Sequence, residues 1–128
     1  MWRTVLAIVA GFIAWICIGA VSFALMRAFW PDYARVEPEM AFTLPMQLAR
    51  LAVGAACSVG GGWLAALVAK GDAKPAWWLG GLLLITFIPI HYSLWSRFPA
   101  WYHLTFLLTL APIVGFSSRL SSRMKVAA

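Results

Sequence analysis

"TVLAIVAGFIAWICIGAVSFALM", residues 4–26, is a run of 23 residues without a charged side chain. An α-helix rises about 1.5 Å per residue, so roughly 20 apolar residues cross the hydrocarbon core of a bilayer. The run therefore predicts a membrane-spanning helix. It is longer than the apolar region of a secretory signal peptide, typically about 7–15 residues, so we expect this helix to be permanent.

Three further uncharged runs follow, and each has the length of a membrane span. They cover residues 51–69, 75–96 and 98–118. Their apolar side chains are continuous rather than alternating, which excludes barrel strands and leaves helices, whose backbone groups are satisfied internally in lipid. The sequence predicts an all-α fold: a polytopic membrane protein with four transmembrane helices in an antiparallel bundle.

Prolines and charges set the expected ends of these helices. Pro31 ends the first helix, and Thr43 followed by Pro45 is typical of a helix start, ahead of the uncharged core of the second. We predict one domain over residues 1–128, with helices at about 4–29, 44–69, 75–96 and 98–118, an outer loop at 30–43 and a basic cytoplasmic tail at 119–128.

Composition agrees with a membrane protein. The chain is 63% hydrophobic and 11% charged, whereas a soluble domain carries about 25% charged residues. The net charge of +6 does not indicate nucleic acid, because the basic residues lie at the ends of apolar runs instead of on one face. Cys17 and Cys57 lie inside apolar runs without a CxxC motif, so they predict neither zinc nor redox chemistry.

The lysines and arginines predict an orientation. One side of the membrane would hold Arg3, Lys70, Lys74, Arg119, Arg123 and Lys125, and the other Arg27, Arg35 and Arg97, with Arg50 at the border. The positive-inside rule then puts both termini in the cytoplasm. The basic tail is expected to attract anionic lipid headgroups.

Small residues recur every fourth position along the second predicted helix, at Gly54, Ser58, Gly62 and Ala66. Membrane helices associate through such stripes because small side chains let backbones approach closely. The stripe predicts a packing face. It fits either contacts within the bundle or a homodimer interface.

Acidic residues are absent from all four runs: Asp32, Glu37, Glu39 and Asp72 fall in connections. A proton-coupled transporter usually needs a carboxylate inside the membrane, and no acid is placed for a nucleophilic triad. We therefore expect no catalytic residues and no cofactor. Arg50, near the start of the second helix, is expected to extend outward to the interface, as a lipid contact or part of a pathway for an uncharged or anionic solute.

The stretch "HYSLWSRFPAWYH", residues 91–103, contains both histidines of the chain, each six positions from Arg97. A hairpin that turns at Arg97 places His91 and His103 at similar depth, where two imidazoles would be a candidate ligand pair for haem iron or copper. The alternative is structural, because histidine also suits an aromatic belt. The predicted interface and turn residues are Tyr92, Trp95, Arg97, Trp101 and Tyr102.

The segments "MWRTVLAIVAGFIAW", residues 1–15, and "SRFPAWYHLTFLLTLAPIVGFSSRL", residues 96–120, resemble small four-helix bacterial inner-membrane proteins usually described as hypothetical. The resemblance implies a fold and a location but no activity and no site residues. We expect a non-enzymatic accessory or structural protein that forms a homo-oligomer or binds a membrane protein partner. The two alternatives are a small channel or transporter, and a metal- or haem-binding protein that uses the histidine pair.

Overall fold

A computed structural model describes residues 1–121, and this part of the chain is helical without a strand. The long helices are α1 (Trp2–Phe29), α3 (Leu44–Val68), α4 (Lys74–Ser93) and α5 (Ala100–Phe116), and α2 (Pro31–Val36) is short. A turn at Ser117 leads from α5 into a last helical stretch that reaches Ser121. All four long segments are long and apolar enough to cross a membrane. The predicted all-α class with four apolar spans is confirmed, and the protein is a multi-pass membrane protein.

The connections differ from the predicted boundaries where short helical turns form. The outer loop expected at 30–43 contains α2 and the 3-10 turn Glu37–Glu39. The third long helix ends at Ser93 instead of residue 96, because a 3-10 turn over Trp95–Arg97 reverses the chain. The extended backbone of Pro99 delays the start of α5 to Ala100. Within the predicted basic tail, residues 122–128, which include Arg123 and Lys125, lie outside the described part.

Contacts between helices establish an up-and-down bundle. An added Cβ at Gly11 of α1 would lie 2.7 Å from the carbonyl oxygen of Gly61 in α3, and Gly19 lies opposite Cys57, so these two helices are antiparallel. A Cβ added at Gly80 in α4 would lie 3.1 Å from the Cα of Ala111 in α5. Residues 30–43 and 94–99 lie together at one end of the bundle, which we call the loop end.

The small-residue stripe of α3 is buried inside this bundle. Gly54 packs against Phe106 and Gly62 against the backbone of Val114, both on α5. Ser58 accepts a hydrogen bond from Trp15 Nε1 of α1 at 3.2 Å. The stripe therefore lets α3 approach two helices of its own chain, which agrees with the intramolecular alternative. The half of the bundle away from the loop end, which contains Gly11, Gly62 and Gly80, is closely packed, and we call it the closed half.

Candidate functional site

Arg50 lies six residues into α3, about 9 Å along the helix axis from its start. Its side chain turns into the bundle and reaches acceptors at the loop end. Nη1 donates a hydrogen bond to the Tyr33 hydroxyl at 2.7 Å, and Nε donates to the Tyr102 hydroxyl at 3.3 Å. The guanidinium thus reaches the outer segment at Tyr33 from inside the bundle, because two hydroxyl acceptors converge on it from α2 and α5.

Aromatic rings surround the rest of the guanidinium. Its Cζ lies 4.7 Å from the ring centroids of both Phe23 and Phe42, and 5.8 Å from that of Phe98. An aromatic face attracts a cation, and more strongly when water is excluded. The charge is thus stabilised by π-faces and two neutral hydroxyl groups.

No carboxylate pairs with Arg50 among residues 1–121. The ion pairs found there join Arg27 to Glu37 at 3.1 Å and Arg35 to Asp32 at 3.2 Å. Nη2 of Arg50 makes no hydrogen bond with the described residues and is not a buried atom. One edge of the guanidinium is therefore available to an acceptor from outside the chain.

Tyr33 connects the outer segment to the bundle. It belongs to α2, is completely buried, and stacks on Phe42 with ring centroids 5.3 Å apart. Burial raises the pKa of the Tyr33 hydroxyl above its ordinary value of 10.0, with Glu37 acting in the same direction and Arg50 opposing both. The hydroxyl is therefore neutral at physiological pH and accepts from Arg50 as a phenol, not as a phenolate.

The predicted interface residues divide into two groups. Tyr92, Trp95, Arg97 and Trp101 are exposed, as expected for side chains at a membrane boundary. Tyr102, in contrast, is 5% exposed and points into the bundle. Its side chain faces the interior because Tyr102, Phe106 and Leu110, four residues apart, share the inward face of α5.

The two histidines meet at the loop end. His91 Nδ1 lies 2.7 Å from His103 Nδ1, with the rings almost perpendicular and their centroids 5.0 Å apart. His103 Nε2 lies 3.3 Å from the carbonyl oxygen of Trp95. Both rings are buried, His103 completely. The Trp95–Arg97 turn folds back to supply this carbonyl, so the hairpin itself positions the pair.

The geometry of the pair is that of a hydrogen bond. A metal ion bound to both imidazoles would hold their nitrogens about 3.3–4 Å apart, given metal–nitrogen bonds of roughly 2 Å and tetrahedral to linear angles. The two Nδ1 atoms are much closer than this. No group of three or more His, Cys, Asp or Glu side chains that could hold a metal ion occurs in the described chain. The arrangement therefore gives a metal or haem site no support.

A cavity of about 400 Å³ joins Arg50 and His91. Its walls are apolar, with Phe23, Phe87 and Phe106 among them, and its polar groups come from Arg50, His91 and Tyr102. Other lining residues, Ile16 and Ala20 of α1 and Ile90 of α4, are also exposed on the outside of the bundle. The cavity therefore opens sideways between α1 and α4, towards the lipid. We call it the loop-end cavity.

The sequence indicated Arg50 and the histidines separately but not the cavity that joins them. Tyr33 and Tyr102 were not recognised as partners of Arg50. The available signal was the arginine itself, because a cation in an apolar helix without an acidic neighbour requires hydroxyl or aromatic partners. Only Tyr33, Tyr92 and Tyr102 carry a phenol in this chain.

No protein-family model, curated protein or solved structure matches the chain. The fold and the site are those of a four-span helical membrane protein with an apolar cavity that carries an arginine and a histidine.

Proposed function

We propose that the protein is a non-enzymatic membrane component that binds an acidic amphipathic molecule from the bilayer. The acid group of the ligand pairs with Arg50, and its hydrocarbon chain occupies the loop-end cavity. The observation that carries this proposal is a guanidinium without a carboxylate partner in the described chain, at the polar part of an apolar cavity.

The charge of Arg50 selects an anion. A cation within a membrane-spanning helix is costly unless it is compensated. The two hydroxyl groups and the phenylalanine rings compensate it in part, and Nη2 remains available. A carboxylate or phosphate would add charge-assisted hydrogen bonds, which are roughly twice as strong as neutral ones.

The shape of the site selects a ligand that arrives through the lipid. Phe42 lies over Arg50 on the side of the outer segment, and its ring stacks on those of Tyr33 and of Phe98, the latter at 5.7 Å. The open side lies between α1 and α4. A single-chain carboxylic acid suits this entrance better than a phospholipid, because its head is smaller and loses less hydration on entry.

Calorimetric titration of purified protein in detergent tests the proposal with decanoate and decanol as matched probes. We expect decanoate to bind saturably and decanol at least tenfold more weakly, because hydrogen bonds to a charged group contribute about 1.5–3 kcal/mol and 1.4 kcal/mol is a factor of ten. Arg50→Gln should abolish the preference. Arg97→Gln, an exposed arginine at the same end, should retain it. Equal binding of both probes, or an Arg50→Gln protein that still prefers decanoate, would refute the site.

Transport of an uncharged or anionic solute is the second candidate, because Arg50 and the cavity would form half of a pathway. Close glycine contacts in the closed half, at Gly11, Gly62 and Gly80, support binding over passage. Liposome flux decides between them. The channel would be favoured if the wild-type protein released small anions from liposomes without decanoate and the Arg50→Gln protein did not.

The proposed location is the bacterial inner membrane with both termini in the cytoplasm. It rests on the resemblance of residues 1–15 and 96–120 and on the six lysines and arginines counted for the side of the termini. A homo-oligomer or a membrane protein partner remains part of the proposal. Crosslinking in native membranes, with a strictly solitary chain as the contrary result, tests it.

A further inference from the structure

The histidine pair gives the loop-end cavity a second polar group, the imidazole of His91. Its hydrogen bonds show which of its nitrogens carries the proton. A carbonyl oxygen only accepts hydrogen bonds, so the contact to Trp95 requires the proton of His103 on Nε2. In neutral His103, Nδ1 is then an acceptor. His91 Nδ1, 2.7 Å away, must donate to it.

This chain of bonds determines the free nitrogen of His91. Because Nδ1 carries the proton, Nε2 of the neutral ring is an unprotonated acceptor. Nε2 makes no hydrogen bond with the described residues, and its surface is not fully buried. His91 lines the loop-end cavity. The cavity therefore offers an acceptor at His91 as well as a donor at Arg50.

Tyr102 holds the two groups next to each other. Its hydroxyl accepts from Arg50 Nε at 3.3 Å, and its ring stacks on that of His91 with centroids 6.2 Å apart. The ring of Phe106 also stacks on that of His91, with centroids 4.6 Å apart, and restricts the imidazole further. Arg50 and His91 thus both contact Tyr102 and line the same cavity.

We infer that His91 is a specificity-determining residue that selects acids with a hydrogen-bond donor close to the acid group. The class comprises single-chain carboxylic acids with a hydroxyl or amide N–H near the carboxylate. The carboxylate accepts from Arg50, and the donor bonds to His91 Nε2. His103 is a positioning residue, because it maintains the tautomer of His91. The inference rests on the proposed function and names its ligand class.

Three probes isolate the donor: decanoate, 3-hydroxydecanoate and 3-methoxydecanoate. The methoxy compound has the oxygen but lacks the hydrogen. We expect the wild-type protein to bind 3-hydroxydecanoate about two- to tenfold more tightly than the other two, since one net hydrogen bond contributes about 0.5–1.5 kcal/mol. His91→Phe should bind the three acids with equal affinity, whatever its affinity for decanoate. Thermal unfolding establishes that this variant is folded.

Variants of His103 test the tautomer independently of His91. His103→Gln supplies an amide oxygen to accept from His91 and an amide N–H for Trp95, so the preference should persist. His103→Leu removes the acceptor and should abolish the preference. In the wild type, ¹⁵N shifts of labelled histidine should show one ring protonated at Nδ1 and the other at Nε2.

The outcomes separate this inference from the proposed function. If decanoate binds through Arg50 but the hydroxy and methoxy acids bind equally, acid binding stands and the role of His91 is overturned. If no acid binds, both fall. Two rings protonated at Nε2 would also overturn the inference, even if a preference were measured.

Discussion

The guanidinium Nη1 of Arg50 lies 2.7 Å from the hydroxyl oxygen of Tyr33. This bond joins a membrane-spanning helix to the short helix α2 outside it, across a buried and largely aromatic contact. It explains how an arginine is accommodated below the start of α3 without an acid. It also makes the outer segment part of the binding site.

Replacement of Tyr33 by phenylalanine should destabilise the protein by about 1.5–3 kcal/mol, because Arg50 loses a charge-assisted hydrogen bond at a buried position. Unfolding in mixed micelles, followed by circular dichroism, measures the change. Tyr92→Phe is the matched control, since Tyr92 is 83% exposed and should be neutral. Equal effects of the two substitutions would contradict the importance of the bond.

The titration of Tyr33 predicts a loss of stability at alkaline pH. Its pKa is raised in the folded protein, so above pH 10.0 the unfolded chain releases this proton while the folded protein retains it. The contribution of Tyr33 is thus fully present below about pH 10 and declines above it. The difference in unfolding temperature between wild type and Tyr33→Phe should therefore shrink between pH 9 and pH 11. A difference that stays constant or grows would contradict the raised pKa.

Close packing in the closed half predicts opposite results for two glycines. A Cβ at Gly62 would collide with the backbone carbonyl of Val114, whereas nothing lies within 4 Å of a Cβ at Gly81. Gly62→Ala should destabilise the protein by about 1–3 kcal/mol through overpacking. Gly81→Ala should be neutral or stabilise it by up to about 1 kcal/mol, because alanine favours helix. Unfolding in mixed micelles measures both, and a harmless Gly62→Ala would show that the helices are not in contact there.

The hydrogen bond from Trp15 to Ser58 links α1 to α3 within the membrane. A double-mutant cycle of Trp15→Phe and Ser58→Ala should give a coupling of about 0.6 kcal/mol, the average for such bonds between membrane helices. Ser58 also donates to the carbonyl of Gly54 at 2.8 Å, so Ser58→Ala alone includes a second loss. Strict additivity in the cycle would contradict the bond.

The sequence places Arg50 and Tyr102 near the outer boundary but does not give the direction of their side chains. Both point inward because helical phase and the neighbouring helices decide which face is buried. The spacing of the histidines indicated similar depth, but the 2.7 Å contact depends on how the Trp95–Arg97 turn brings α4 and α5 together.

The sequence by itself determined the class of the protein and the number of its spans. In lipid every backbone group must be bonded within the segment, so length and the absence of charge are sufficient to specify a helix. Tertiary structure alone decided the site, because Arg50, His91 and Tyr102 come from three different helices. Their convergence depends on close contacts between helices and on the rotation of each helix about its axis, neither of which a run of apolar residues encodes locally.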